Sequence, residues 1–217
     1  MSGLVENLSA DFLPRFLAGM AVNFEIAAIA LAIGLALGSL LALGRLGGGV
    51  VGAFTISIIS VMRAAPTFVV MFFLLNTIPR DATLFGEPFA LSAMMAVALS
   101  LVPYSAAYVA DAGVDAIRHL RAGASHGAYL FVPNITRAFF VLVMSSSAGA
   151  AIGVTEGITV ILRQAEQLPG LDDRLVLFAI GIVMFGIPLQ IAFALIGLVQ
   201  RRIARTATPP GHAEDAA

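Results

Sequence analysis

Few side chains in this sequence could do chemistry. All twelve basic residues are arginine, and there is no cysteine. Without lysine the chain has no phosphate-loop lysine, so it is no conventional P-loop ATPase, and it has no amine for a Schiff base. Without cysteine there is no thiol nucleophile, no disulfide and no thiolate metal site. The three histidines, His119, His126 and His212, form no HExxH pattern and point to no metal site. No acid/base pair converges on a nucleophile. The sequence therefore predicts no catalytic residue, no metal and no cofactor in this chain.

The remaining candidates are polar residues set inside apolar runs. Asn23 and Glu25 interrupt the first such run. A carboxyl group inside a bilayer is costly unless it faces a cavity or a partner. Glu25 thus has two readings: contact with a cationic group in a path, or solvation at the interface beside Asn23. Ser145, Ser146 and Ser147 offer hydroxyls near mid-membrane, either for a solute or for close helix packing continued by Gly149. Tyr104, beside Pro103, reads as path-lining or as a core aromatic. Asp111 and Asp115, four apart, share a helix face near Arg118 and Arg121, an arrangement that favours structural ion pairs. Arg63 is expected to snorkel to headgroups. His119 and His126 read as solvated loop residues.

These residues must be held by membrane helices. Of the 217 residues 59% are hydrophobic and 12% charged, with a mean hydropathy of +0.97. A soluble domain has about 25% charged residues. The excess apolar surface requires lipid. Net charge is −1, so nothing draws the chain to nucleic acid. Residues 1–17 carry Glu6 and Asp11 before the first arginine, unlike a cleaved signal. Leu4, Leu8, Phe12 and Phe16 at helical spacing suggest an interfacial helix there, or a frayed terminus. Residues 18–202 form the membrane domain, and 203–217 a flexible cytoplasmic tail.

About five spans are expected: 18–44; a broken segment with an interfacial piece up to Arg63 and a span from about 65 to 78; 89–112; 135–152; and 175–199. In the first, Ala30, Gly34, Gly38 and Ala42 recur four apart, which allows a close helix neighbour. Polar loops are predicted at 80–88, 119–134 and 156–174. Eight arginines fall on one side: 45, 63, 118, 121, 137, 201, 202 and 205. Four, at 15, 80, 163 and 174, fall on the other. The positive-inside rule makes the first side cytoplasmic. Glu156 counts among the acids on the outer side. The N-terminus is then periplasmic and the C-terminus cytoplasmic.

Several motifs, in order, resemble the permease subunits of bacterial ABC importers of the polar amino acid family. Residues 19–25 leading to Gly34 and Arg45-Leu46 are similar to that family's opening helix. Arg63-Ala64-Ala65-Pro66-Thr67 resembles its Arg-Gly-Thr-Pro turn. Ser105-Ala106-Ala107-Tyr108-Val109-Ala110-Asp111 resembles Ser-Ala-Ala-Tyr-x-x-Glu. Ala116-Ile117 and Gly123 follow at the family's spacing. Residues 131–137 resemble x-Leu-Pro-Gln-Ala-x-Arg. Residues 152–156 and 163–165 are similar to Ile-Gly-Val-x-Glu and Arg-Gln-Ala.

The resemblance implies an all-α, type I importer-like permease in the bacterial inner membrane. It also implies a separate ATP-binding subunit that uses the ATP, a periplasmic solute-binding protein, and a second permease, the same chain or a sister. The candidate substrate path is Asn23, Glu25, Tyr104, Ser145, Ser146 and Ser147. The candidate coupling loop is Arg121, Gly123, Ser125, His126, Gly127 and Pro133. Two departures stand out. About a dozen residues of the family's coupling loop are missing before Pro133, and the family's Lys-Asp-Thr-Ser-Leu is Met144-Ser145-Ser146-Ser147-Ala148 here. The shortened loop gives the alternative: a non-transporting permease-like subunit with an assembly or regulatory role.

Overall fold

The computed structural model describes residues 11–79, 83–84, 87–88 and 91–206. The elements are α1 (Phe12–Leu46), α2 (Gly49–Ala64), α3 (Thr67–Thr77), a two-residue hairpin of β1 (Thr83–Leu84) and β2 (Glu87–Pro88), and α4 (Ala93–Arg121). They continue with α5 (Ser125–Tyr129), α6 (Phe131–Ser145), a 3-10 helix (Ser146–Ile152), α7 (Gly157–Glu166) and α8 (Leu171–Thr206). Among the described residues, four helical stretches are long and apolar enough to cross a membrane, or five if the bent pair α2–α3 is one span. The expected all-α architecture with about five spans is the one observed.

The break at Pro66 lies where the sequence places it. Proline lacks an N–H and forces its predecessor out of the helical region. Ala65 is extended, with φ −67° and ψ 116°, and α2 meets α3 at 92°.

The expected boundary at residue 17 is not there. α1 is one helix of 35 residues, about 52 Å long. It continues through residue 17 because Phe12 and Phe16 have protein to bury against. With Met20 they contact Val160, Ile161 and Ala165 of α7, and Leu177 of α8. Leu4 and Leu8, the other half of the proposed interfacial face, lie outside the described residues.

α1 and α4 form the centre. A Cβ on Gly34 would lie 2.0 Å from Ser105 Oγ, and one on Gly38 would lie 2.6 Å from the Ala106 carbonyl oxygen. Only hydrogen at these positions lets the backbones approach so closely. Gly34 meets Ser105, Gly38 meets Val109, and Ala42 meets Gly113. Contacts that advance in the same sense make α1 and α4 parallel, as two spans separated by one return crossing must be. The largest apolar core lies between them, with Ile26, Ala27, Ala30, Val97, Ala98 and Leu101 buried against Leu142 and Val143 of α6.

The predicted loops are shorter than expected. His119 to Arg121 belong to α4 and Phe131 to Asn134 to α6. α4 runs through Pro103 and starts at Ser92, whose side chain accepts from the Met95 N–H at 3.1 Å. It closes on Gly123 at φ +75°, a left-handed position that suits glycine. The proposed polar stretch 156–174 contains α7, which is about 15 Å long and too short to cross. The proposed tail begins too early, since α8 extends through Thr206; residues 207–217 lie outside the described ones. Much of the predicted loop 80–88 does too.

Candidate functional site

Three fully buried polar residues converge where α1, the 3-10 helix and the start of α7 meet. Asn23, Ser146 and Glu156 are each 0% exposed. The Asn23 amide nitrogen donates to Ser146 Oγ at 2.8 Å and to Glu156 Oε2 at 3.0 Å. Its oxygen accepts from the Gly157 N–H at 3.1 Å. Ser146 Oγ donates to the Val143 carbonyl at 2.8 Å.

Glu156 is the N-cap of α7. Its Oε2 accepts from the Ile158 N–H at 2.9 Å, and its Oε1 accepts from the Thr159 N–H at 2.8 Å. Thr159 Oγ1 lies 2.6 Å from the Val154 carbonyl and 3.0 Å from Oε1. Each carboxyl oxygen thus accepts from a backbone N–H of the first turn of α7, while the Thr159 hydroxyl, with a single proton, stands between Oε1 and the Val154 carbonyl. Every partner is neutral, and the positive end of the α7 dipole faces the group. A helix that starts inside the protein needs its first N–H groups satisfied there, because no water reaches them. Glu156 supplies that, and Asn23 ties the cap to α1.

The local backbone makes room for this knot. Gly153, at φ +84°, ends the 3-10 helix and turns the chain back. A Cβ on Gly19 would lie 2.8 Å from the Glu156 carbonyl carbon and from the Gly157 nitrogen. Gly19 is thus the seat on which the cap rests.

A second polar cluster sits at the other end of α1. Asp111 Oδ1 accepts from Arg45 at 2.7 Å, and Oδ2 is bonded to Arg63. Arg63 therefore has a protein partner rather than the lipid expected of it. The predicted ion pairing of Asp111 is present, but it joins α1 and α2 rather than Arg118 and Arg121. Arg118 and Arg121 are exposed in the last turns of α4.

The structure separates most of the other predicted path residues. Glu25 is exposed, unlike its neighbour Asn23. Residues two apart on a helix do not share a face, so Asn23 turns inward and Glu25 outward. Tyr104 is half-buried, its ring 6.2 Å from that of Tyr108, and it packs against the α1–α4 core without a part in the hydrogen bonds of Asn23, Ser146 and Glu156. Of the three serines only Ser146 enters the knot. Ser145 is half-buried. The hydroxyl of Ser147 is sequestered without a hydrogen bond, beside a cavity of about 300 Å3 shared with Ile158, Phe185 and Gln190.

Among the coupling-loop candidates, Arg121 and Gly123 are exposed at the end of α4. Gly127 lies against the His119 ring, where a Cβ would fall 2.3 Å from Cδ2. Pro133 is buried in the first turn of α6, where a missing N–H costs nothing. The backbones of Ser125 and His126 open α5, and their side chains lie outside the described ones. Only Ala122 to Ala124 separate α4 from α5.

Glu156 is the residue that sequence reasoning misplaced. It counted as an outer-side acid and is completely buried. A signal was available: an acid directly before an apolar helical run is an N-cap pattern.

No family model matches the chain, and no curated protein does. Among solved structures, one chain of the crystal structure of an amino acid ABC transporter with histidines is similar, at 21% identity and a TM-score of 0.61. The similarity covers 89% of this chain and 99% of that one, so the fold is shared over most of this chain.

Proposed function

We propose that this chain is the membrane subunit of an ABC importer for amino acids or similar small polar solutes. The shared fold with an amino acid ABC transporter chain carries this reading. A chain without lysine needs a separate ATP-binding subunit to hydrolyse ATP. The arginine bias supports a periplasmic N-terminus and a cytoplasmic C-terminus, and the motif resemblance to bacterial permeases supports an inner-membrane location. A periplasmic binding protein delivers solute to the outer face, and the helices rock to open the path inward.

Glu25 is the residue for recognition of a cationic group. It lies ten residues from Arg15, about 15 Å along α1. That is within the hydrocarbon, if Arg15 is at the headgroups. Ala21, Ala28 and Ala32 are exposed on the same face. Small residues invite a neighbouring helix, and a carboxyl group there demands a path or a partner. A second permease subunit packed on this face would enclose Glu25 in the shared path.

The test is uptake of labelled amino acids by proteoliposomes holding this chain, its ATPase and its binding protein. ATP-dependent uptake is expected, and Glu25→Gln should lower uptake of cationic amino acids about tenfold, roughly 1.4 kcal/mol, without changing thermal unfolding. The shortened stretch between α4 and α6 favours the second reading, a permease-like assembly or regulatory subunit. Uptake that persists at full rate when this chain is omitted would replace the first reading with the second.

A further inference from the structure

Arg15 and Arg45 are thirty residues apart on one uninterrupted helix, which is about 45 Å. A bilayer including its headgroups is about 40–45 Å thick. The separation of the two guanidinium groups thus matches that of the two headgroup layers. At one layer Arg45 is tied to Asp111. At the other, Arg15 borders a cleft of about 260 Å3 between the first three turns of α1 and the later turns of α7.

The cleft has two chemically distinct parts. Its wall is apolar, formed by Phe12, Ala18, Val22 and Val160. At its polar side stand Arg15, Arg163 and Gln167. Arg163 is exposed and makes no ion pair among the described residues. Arg15 pairs with Asp11 at 3.0 Å, but both side chains are more than 60% exposed, at 63% and 66%. Such a pair is weak, and it uses one of five guanidinium N–H groups. Two cations thus converge on an apolar slot at headgroup depth, with one partly committed carboxylate against them.

We propose that this cleft binds an anionic phospholipid. Arg15 and Arg163 hold the phosphate through charge-assisted hydrogen bonds, Gln167 adds a donor, and an acyl chain lies along Phe12, Val22 and Val160. A soluble anion has no use for the apolar wall. A zwitterionic lipid carries a choline charge that two arginines repel. The lipid would bridge α1 to α7, the helix whose buried end carries Glu156. This inference does not depend on the transport reading.

Native mass spectrometry of the full chain in detergent tests it, with dioleoyl phosphatidylglycerol, dioleoyl phosphatidylcholine and inorganic phosphate as probes. Phosphatidylglycerol should be retained about fivefold or more over phosphatidylcholine, about 1 kcal/mol. Arg163→Gln should remove most of that preference, and Arg163→Lys should keep it, with thermal unfolding unchanged in both. Equal retention of the two lipids would overturn the proposal. So would an unchanged preference in Arg163→Gln. Displacement of phosphatidylglycerol by millimolar inorganic phosphate would also overturn it, since the cleft would then be a site for soluble anions.

Discussion

Glu156 and Asp111 are both acids with several partners, yet they are held in opposite ways. Glu156 is fully buried and satisfied by neutral donors: two backbone N–H groups and the Asn23 amide. Asp111 sits at a rim, with a side chain 37% exposed, and is held by two arginines. In the interior, charge is costly, so dipoles aimed at the carboxyl group replace counter-ions. At the rim, water and headgroups already solvate both signs, and the ion pairs add little. The contrast teaches that counting charged partners misjudges which acid supports the fold.

Removing the buried acid should have the largest effect. Glu156→Ala leaves the Ile158 and Thr159 N–H groups and the Asn23 amide with lost partners. At about 1–3 kcal/mol for each unsatisfied buried group, the loss should be about 3 kcal/mol or more. For a chain of this size that corresponds to a drop of about 6–12 °C in the unfolding midpoint. A drop below about 3 °C would break the comparison.

A smaller loss is expected from the opposite side of the same knot. In Gly19→Ala the new methyl meets backbone at 2.8 Å, so α1 must shift rather than a side chain rotate. Overpacking of this kind costs about 1–3 kcal/mol. Combined with Glu156→Ala the two losses should be less than additive, because both disturb one contact. Strict additivity in a double-mutant cycle would show that Gly19 and the cap act separately.

The rim should respond least. Asp111→Asn is expected to lower stability by no more than about 1 kcal/mol. The difference from wild type should vanish in about 1 M salt, where charges are screened within about 3 Å. Thermal scans at low and high salt read this directly. A salt-independent loss as large as that of Glu156→Ala would place Asp111 with the buried acids.

Much of the fold was legible along the chain. The apolar runs located the spans, Pro66 located the break, and the Ala30, Gly34, Gly38, Ala42 series located the face of α1 that meets α4. Each is a local property: hydropathy sums over neighbours, proline acts on the residue before it, and small residues repeat with the helix period. The candidate site was legible only in part. Asn23 and Ser146 were singled out, but with Glu25, Tyr104, Ser145 and Ser147 beside them, and nothing local distinguishes a serine that meets an amide from one that does not. Helical periodicity alone would have parted Asn23 from Glu25.

By itself, then, the sequence determined membrane residence, the approximate number of crossings, and the absence of lysine and cysteine chemistry. Those follow from residue types and from patterns a few residues long. Only the tertiary structure decided that Glu156 lies inside, that Asn23 is its partner, and that Asp111 answers to Arg45 and Arg63. Asn23 reaches Ser146 across 123 positions and Glu156 across 133. No local pattern carries information over that distance. The burial of a polar group is set by what packs around it, which exists only once the helices have met.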